Sequence, residues 1–160
     1  MNSSGDSQFV SDALLPRVTT PCIGVCSTAL GDAVCRGCKR FSHEVIHWNG
    51  YSQAQKRVID ARLDEFLSQV VRNKLRVVDA ELLEWQLKTQ QLPYKPAKSP
   101  EVWTFALLRA GAHQIKNLAE FGLRIDAQYR DVPLPELKDM IDREFYILSE
   151  AHYERYMKVI

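Results

Sequence analysis

The chain has 160 residues, 46% of them hydrophobic and 26% charged, with a formal net charge of +1. That suffices for one ordinary domain, or for a small module joined to a helical domain. The longest apolar run, Val102 to Leu108, is far too short to cross a bilayer, and the near-neutral charge gives no electrostatic ground for a nucleic-acid partner.

Charge is unevenly distributed. Gly31 to Arg76 carries nine Lys/Arg against five Asp/Glu, and Val77 to Ile160 carries eleven against thirteen. A mildly basic module thus precedes a mildly acidic remainder. Residues 1–19 are rich in Ser, Asp and Gly and are expected to form a disordered tail. Met1-Asn-Ser-Ser-Gly-Asp6 has no basic region and is followed by no apolar core of signal-peptide length. The expected compartment is therefore the reducing cytoplasm, where thiolates remain available to a metal.

All four cysteines fall within 17 residues: Cys22-Ile-Gly-Val-Cys26, eight residues, then Cys35-Arg-Gly-Cys38. Four thiolates this close can surround one metal ion or one small cluster, and Gly37 can adopt the positive φ that a metal-binding turn often needs. The metal ligands expected are Cys22, Cys26, Cys35 and Cys38, and the module should contain little regular structure, with the metal replacing the core it lacks. Two local disulfides would suit a secreted chain instead. Lys39 and Arg40 read as solvated charges, or as groups that orient thiolates or face an acidic partner.

Ser42 reads as the N-cap of a short helix with Glu44 in its first turn. Ile46 and Trp48 should then pack near the metal loops, and Asn49-Gly50 ends the helix. His43-Glu44-Val-Ile-His47 matches the His-Glu-x-x-His pattern of zinc metalloproteases, in which Glu44 would be the general base. The position of a third histidine holds Gln53, a poor zinc ligand, although Asp64 or Glu65 could substitute in principle. The helix is short and crowds the cysteines, so solvated or second-shell histidines are the commoner reading.

Ser52-Gln-Ala-Gln55 is a capping box opening a longer helix with Val58, Ile59, Leu63, Phe66, Leu67, Val70 and Val71 at helical spacing. Whether the chain turns back near Asn73 is open at this point. Val77 to Leu92 is again helix-like, with Val78, Leu82, Trp85 and Leu87 or Leu92 apolar, and Pro93 to Pro100 breaks it. Ser99-Pro100-Glu101 starts a helix expected to run to about Phe121 and stop at Gly122. Pro133-Leu-Pro135 precedes a last helix reaching about Met157, whose aromatics read as core. There is no repeat, phosphate-binding glycine loop or nucleophile elbow.

Pro21-Cys-Ile-Gly-Val-Cys26, Cys35-Arg-Gly-Cys-Lys-Arg40, Glu44-Val45 and Trp48 together resemble a small bacterial family, domain of unknown function 1289, often labelled a predicted iron–sulfur protein. Its pattern is Pro-Cys-x3-Cys, a variable loop, Cys-x-Gly-Cys-x-Arg, then Glu-Ile and a tryptophan, so Val45 is a conservative departure. The resemblance covers about residues 20–75, including the arginine-bearing helix at Gln55-Lys-Arg57, and says nothing of the rest. It implies a metal centre on the four cysteines and implies no reaction. Glu44 and Trp48 belong to that pattern, whereas His43 and His47 do not.

Four thiolates suit zinc and iron–sulfur clusters alike. The Cys-x-Gly-Cys turn and the short loop favour Zn²⁺, and the family label favours a cluster. The chain is therefore expected to be mainly α: a tail at 1–19, a four-cysteine module and its following helix at 20–75, and a helical region at 76–160. Its expected function is a non-catalytic metal-binding protein, an interaction or regulatory module. It would meet a macromolecule, protein or nucleic acid, through the basic module or the C-terminal helices, without a membrane. The alternatives are an iron–sulfur redox or oxidant-sensing protein, and a metalloprotease using His43, Glu44 and His47.

Overall fold

The computed structural model describes Leu15, residues 17–24 and residues 26–158. In chain order its regular elements are α1 (Ser42–His47), α2 (Gln53–Arg72), β1 (Leu75–Val77), α3 (Ala80–Thr89), α4 (Pro100–Gly111), β2 (Leu123–Ile125) and α5 (Leu134–His152), joined by short 3₁₀ turns. A small, mostly irregular N-terminal region precedes a helical body, as expected.

Reciprocal capping sets the start of α2. The Gln55 N–H donates to the Ser52 hydroxyl (3.1 Å), and the Ser52 N–H donates to the Gln55 side chain (2.8 Å). Ser99 caps α4 in the expected way, with Pro100 in its first turn.

Helices α2, α4 and α5 enclose the main core. Ile59, Leu63, Leu67, Val70 and Val71 meet Phe105 and Leu108 from α4, and Leu137, Ile141 and Phe145 from α5. Each such burial stabilises the fold by about 1.5–3 kcal/mol before entropy is counted. Lys74 pairs with Glu144, and Phe66 meets the ring of His152, so α5 runs antiparallel to α2. A second cluster joins Leu83 and Leu87 of α3 to Leu107, Phe121 and Leu123.

The chain departs from expectation between Asn73 and Ile125. Asn73 ends α2, and β1 and β2 pair antiparallel, Leu75 opposite Ile125 and Val77 opposite Leu123. The helix expected from Val77 begins only at Ala80, capped by Asp79, whose side chain accepts from the Leu82 N–H (3.0 Å). The helix expected to reach Phe121 stops at Gly111, and Leu118–Phe121 is a separate 3₁₀ turn.

Gly122 closes that turn at φ +70, and its carbonyl accepts from Val78 N–H (2.8 Å) and Asp79 N–H (3.1 Å). A Cβ there would lie 2.3 Å from the Asp79 carbonyl oxygen, so the close approach needs glycine. Helix α5 ends at His152, and Tyr153–Met157 continues as a wider π turn.

Several apolar residues read as core face water instead: Ile46, Val58, Val78, Trp85 and Tyr156 are all more than half exposed. Most of the N-terminal tail lies outside the described residues. Val18, assigned to that tail, is anchored: its N–H donates to Gln53 Oε1 (2.9 Å), and its side chain lies against the main core. Among the described residues no helix is long and apolar enough to cross a membrane.

Candidate metal centre

The second cysteine pair sits on a tight hairpin. Val34 and Phe41 form an isolated antiparallel bridge, and Ser42 N–H donates to Ala33 O (2.8 Å) just outside it. Inside, Cys35 N–H donates to Arg40 O and Lys39 N–H to Cys35 O, both at 2.9 Å. Lys39 takes the left-handed φ of +66 that completes the turn, a conformation the sequence reading placed at Gly37. Phe41, fully buried, pins the hairpin to the helical body.

Donors converge on the sulfurs. Burial alone would raise the Cys35 thiol pKa, but backbone N–H groups of Cys38, Ser27 and Gly37 point at its sulfur and hold it at about 7. Burial pushes the Cys38 thiol up, and Arg40, whose Nε donates to its Sγ (3.2 Å), opposes that shift. Gly24 N–H donates to Cys22 Sγ (3.4 Å), and Cys26 Sγ shares a hydrogen bond with Thr28 Oγ1 (2.9 Å). Arg36 N–H donates to Ser27 Oγ (2.8 Å), tying the residue after Cys26 to the residue after Cys35.

Arg40 and Lys39 are both buried, which overturns their reading as solvated charges. The Arg40 guanidinium lies 4.8 Å from the centre of the Trp48 ring while its Nε reaches Cys38. Trp48, itself buried, thus meets the cysteine hairpin as expected, whereas Ile46 faces water.

Lys39 Nζ donates to Gly37 O (3.0 Å) and pairs with Asp142 of α5. Burying these two cations is tolerable because each has a charged or π partner at hand.

Glu44 performs two tasks. It accepts from the Phe41 N–H (2.9 Å), so Phe41 is the residue before the helix and Ser42 its first member, not its cap. It also forms a two-pronged pair with Arg62 (2.6 and 2.7 Å), whose guanidinium stacks 4.1 Å from the Phe41 ring centre. Arg62 and Asp142 were missed in the sequence. Arg62 had a signal, because it shares a face of α2 with Ile59 and Phe66, where a lone arginine needs a buried partner. Asp142 had none.

Of the expected ligands, Cys35 and Cys38 are buried side by side, while Cys22 and Cys26 lie exposed on the preceding segment. The described residues contain no group of three or more His, Cys, Asp or Glu already gathered around one point. Cys22 and Cys38 both line a cleft of about 680 Å³ between the cysteine segments and the faces of α2, α4 and α5. His43 and His47 are exposed on α1.

The donor set fits a soft metal: two buried thiols in a Cys-x2-Cys turn, four N–H groups on the Cys22 and Cys35 sulfurs, and a guanidinium on Cys38. The fold and the site thus define a helical protein whose second cysteine pair sits on a hairpin with a buried Arg–Trp and Glu–Arg support, the first pair lying on the segment before it. Residues 20–67 match the model of a family described as a protein of unknown function (DUF1289), which bears out the resemblance over that stretch. No curated protein and no solved structure matches the chain.

Proposed function

We propose that the chain is a non-catalytic metal-binding protein in which Cys22, Cys26, Cys35 and Cys38 hold one zinc ion. The observation that carries the reading is the set of donors aimed at the sulfurs: backbone N–H groups lower the Cys35 thiol to about 7, Arg40 opposes the rise that burial imposes on Cys38, and the Gly24 N–H reaches Cys22 Sγ. A bound zinc would supply a cross-link between the two cysteine segments and no redox chemistry. The residues around it hold the hairpin: Arg40 stacks on Trp48, Glu44 clamps Arg62, and Lys39 reaches Asp142. Ser27, bonded to both Arg36 and Asp32, draws the eight-residue loop shut, which suits a single ion better than a bulkier cluster.

Hydrolysis at His43 and His47 has little support, because Glu44 is committed to Arg62 and to the Phe41 N–H. A partner macromolecule would meet the helical body rather than a basic module surface. Arg36, Lys39, Arg40, Arg62 and Lys74 all spend their charge on partners within the chain. A reducing compartment would keep the four ligands free of disulfides and available to the ion.

Metal content and the visible spectrum of untagged protein, purified without oxygen, test this reading. One zinc per chain, lost in Cys35→Ser and retained in His43→Ala/His47→Ala, is the expected result. Iron with inorganic sulfide and absorbance near roughly 400 nm would replace zinc with a cluster and turn the function to electron transfer or oxidant sensing. No stoichiometric metal would sink both.

A further inference from the structure

The cleft of about 680 Å³ is larger than the cysteine site requires, and most of its lining comes from α2, α4, α5 and the linker before α4. Its volume falls in the range of small-molecule sites, roughly 300–1,000 Å³. Its floor is apolar, with Leu63, Leu67, Val102, Phe105 and Phe145 contributing to it.

The charges around that floor do not balance. Six cations and four acids line the cleft. Three of the acids are held by lysines: Asp60 by Lys98, Asp139 by Lys138 and Asp142 by Lys39. Asp64 accepts from neutral donors, the Ser99 N–H (3.0 Å) and the Ser68 hydroxyl (3.2 Å). Arg36 is bonded to Asp32 outside the lining (3.2 Å). Two cations, Lys95 and Arg109, have no acid partner among the described residues, so one positive charge is left over after Asp64 is set against them. The Arg109 guanidinium lies 5.9 Å from the centre of the Phe105 ring, at the edge of the apolar floor.

We infer that this cleft binds a small amphipathic monoanion, an apolar body with a single carboxylate or sulfonate-like head. The apolar part lies on the Phe105 and Phe145 floor, and Arg109 takes the head with its planar fork of donors. Lys95 adds a longer-range attraction and is secondary. The inference does not rest on which metal the cysteines hold.

Calorimetric titration of the full-length protein with decanoate tests it, with decan-1-ol and 8-anilinonaphthalene-1-sulfonate titrated in parallel. Saturable binding of decanoate or of the sulfonate at one site per chain is expected, with decan-1-ol at least about tenfold weaker. Arg109→Gln should weaken the anions about tenfold while leaving decan-1-ol unchanged. Ala106→Trp, which fills the cleft from α4, should abolish binding. Arg109 is exposed, so its variant keeps the test decisive should Ala106→Trp unfold. Decan-1-ol binding as tightly as decanoate, an Arg109→Gln variant with unchanged affinity, or no saturable binding by either anion would overturn the inference. Binding only of a macromolecule in the cleft would overturn it too.

Discussion

Arg62 and Glu44 meet with side chains 14% and 5% exposed, so neither charge has water to fall back on. Arg62→Met should therefore destabilise the fold by about 3–5 kcal/mol, because it strands a buried carboxylate. Glu44→Gln added to it should recover part of that loss, since the stranded charge is gone. Urea unfolding of both variants reads this directly. Two equal losses would mean that the pair contributes through packing alone.

His152 stacks parallel to Phe41 and meets Phe66 edge-on. Burial first, and then the nearby Arg62, hold its imidazole below the ordinary 6.5, with Glu44 pulling the other way. The unfolded chain thus binds a proton more readily than the folded one. The stabilisation is fully present above pH 6.5 and is lost as the pH falls through the lower folded value. His152→Phe keeps a ring and removes the titration, so its acid-side stability profile should be flatter than the wild-type one. Identical slopes would contradict the assignment.

At the scale of elements, the start signals of α2 and α4 were legible, whereas the start of α3 and the end of α4 were not. Ser52 and Ser99 announce their helices because a side-chain cap acts locally on the next turn. The chain before α3 and after α4 is drawn into β1 and β2, a contact between residues about fifty positions apart that no local pattern carries. Gly122 was seen as a stop, but it stops a 3₁₀ turn and receives the chain at Val78 and Asp79. Gly122→Ala should cost about 1–3 kcal/mol through backbone displacement at Asp79. A thermal melt unchanged from wild type would show that the two strands can move apart freely.

Across the whole molecule, the cysteine cluster was legible because its spacing is written in consecutive residues. The anchoring of the hairpin was not, because Asp142 and Arg62 reach it from helices far along the chain. The expectation that metal replaces a missing core does not extend to the hairpin and α1. Phe41, Glu44 and Trp48 are buried against the helical body, while Cys22 and Cys26 are exposed. Chelation should then release amide exchange around residues 22–32 and leave residues 41–48 protected. Loss of protection throughout 22–48 would mean that the hairpin anchors are insufficient without the ion.

In the proposed site all four cysteines meet at one ion, including the exposed pair. X-ray absorption at the zinc edge of the intact protein tests it most directly. Four sulfur scatterers at ~2.3 Å are predicted. Two sulfurs with nitrogen or oxygen completing the shell would rule out a four-thiolate site and leave Cys22 and Cys26 without the role assigned to them.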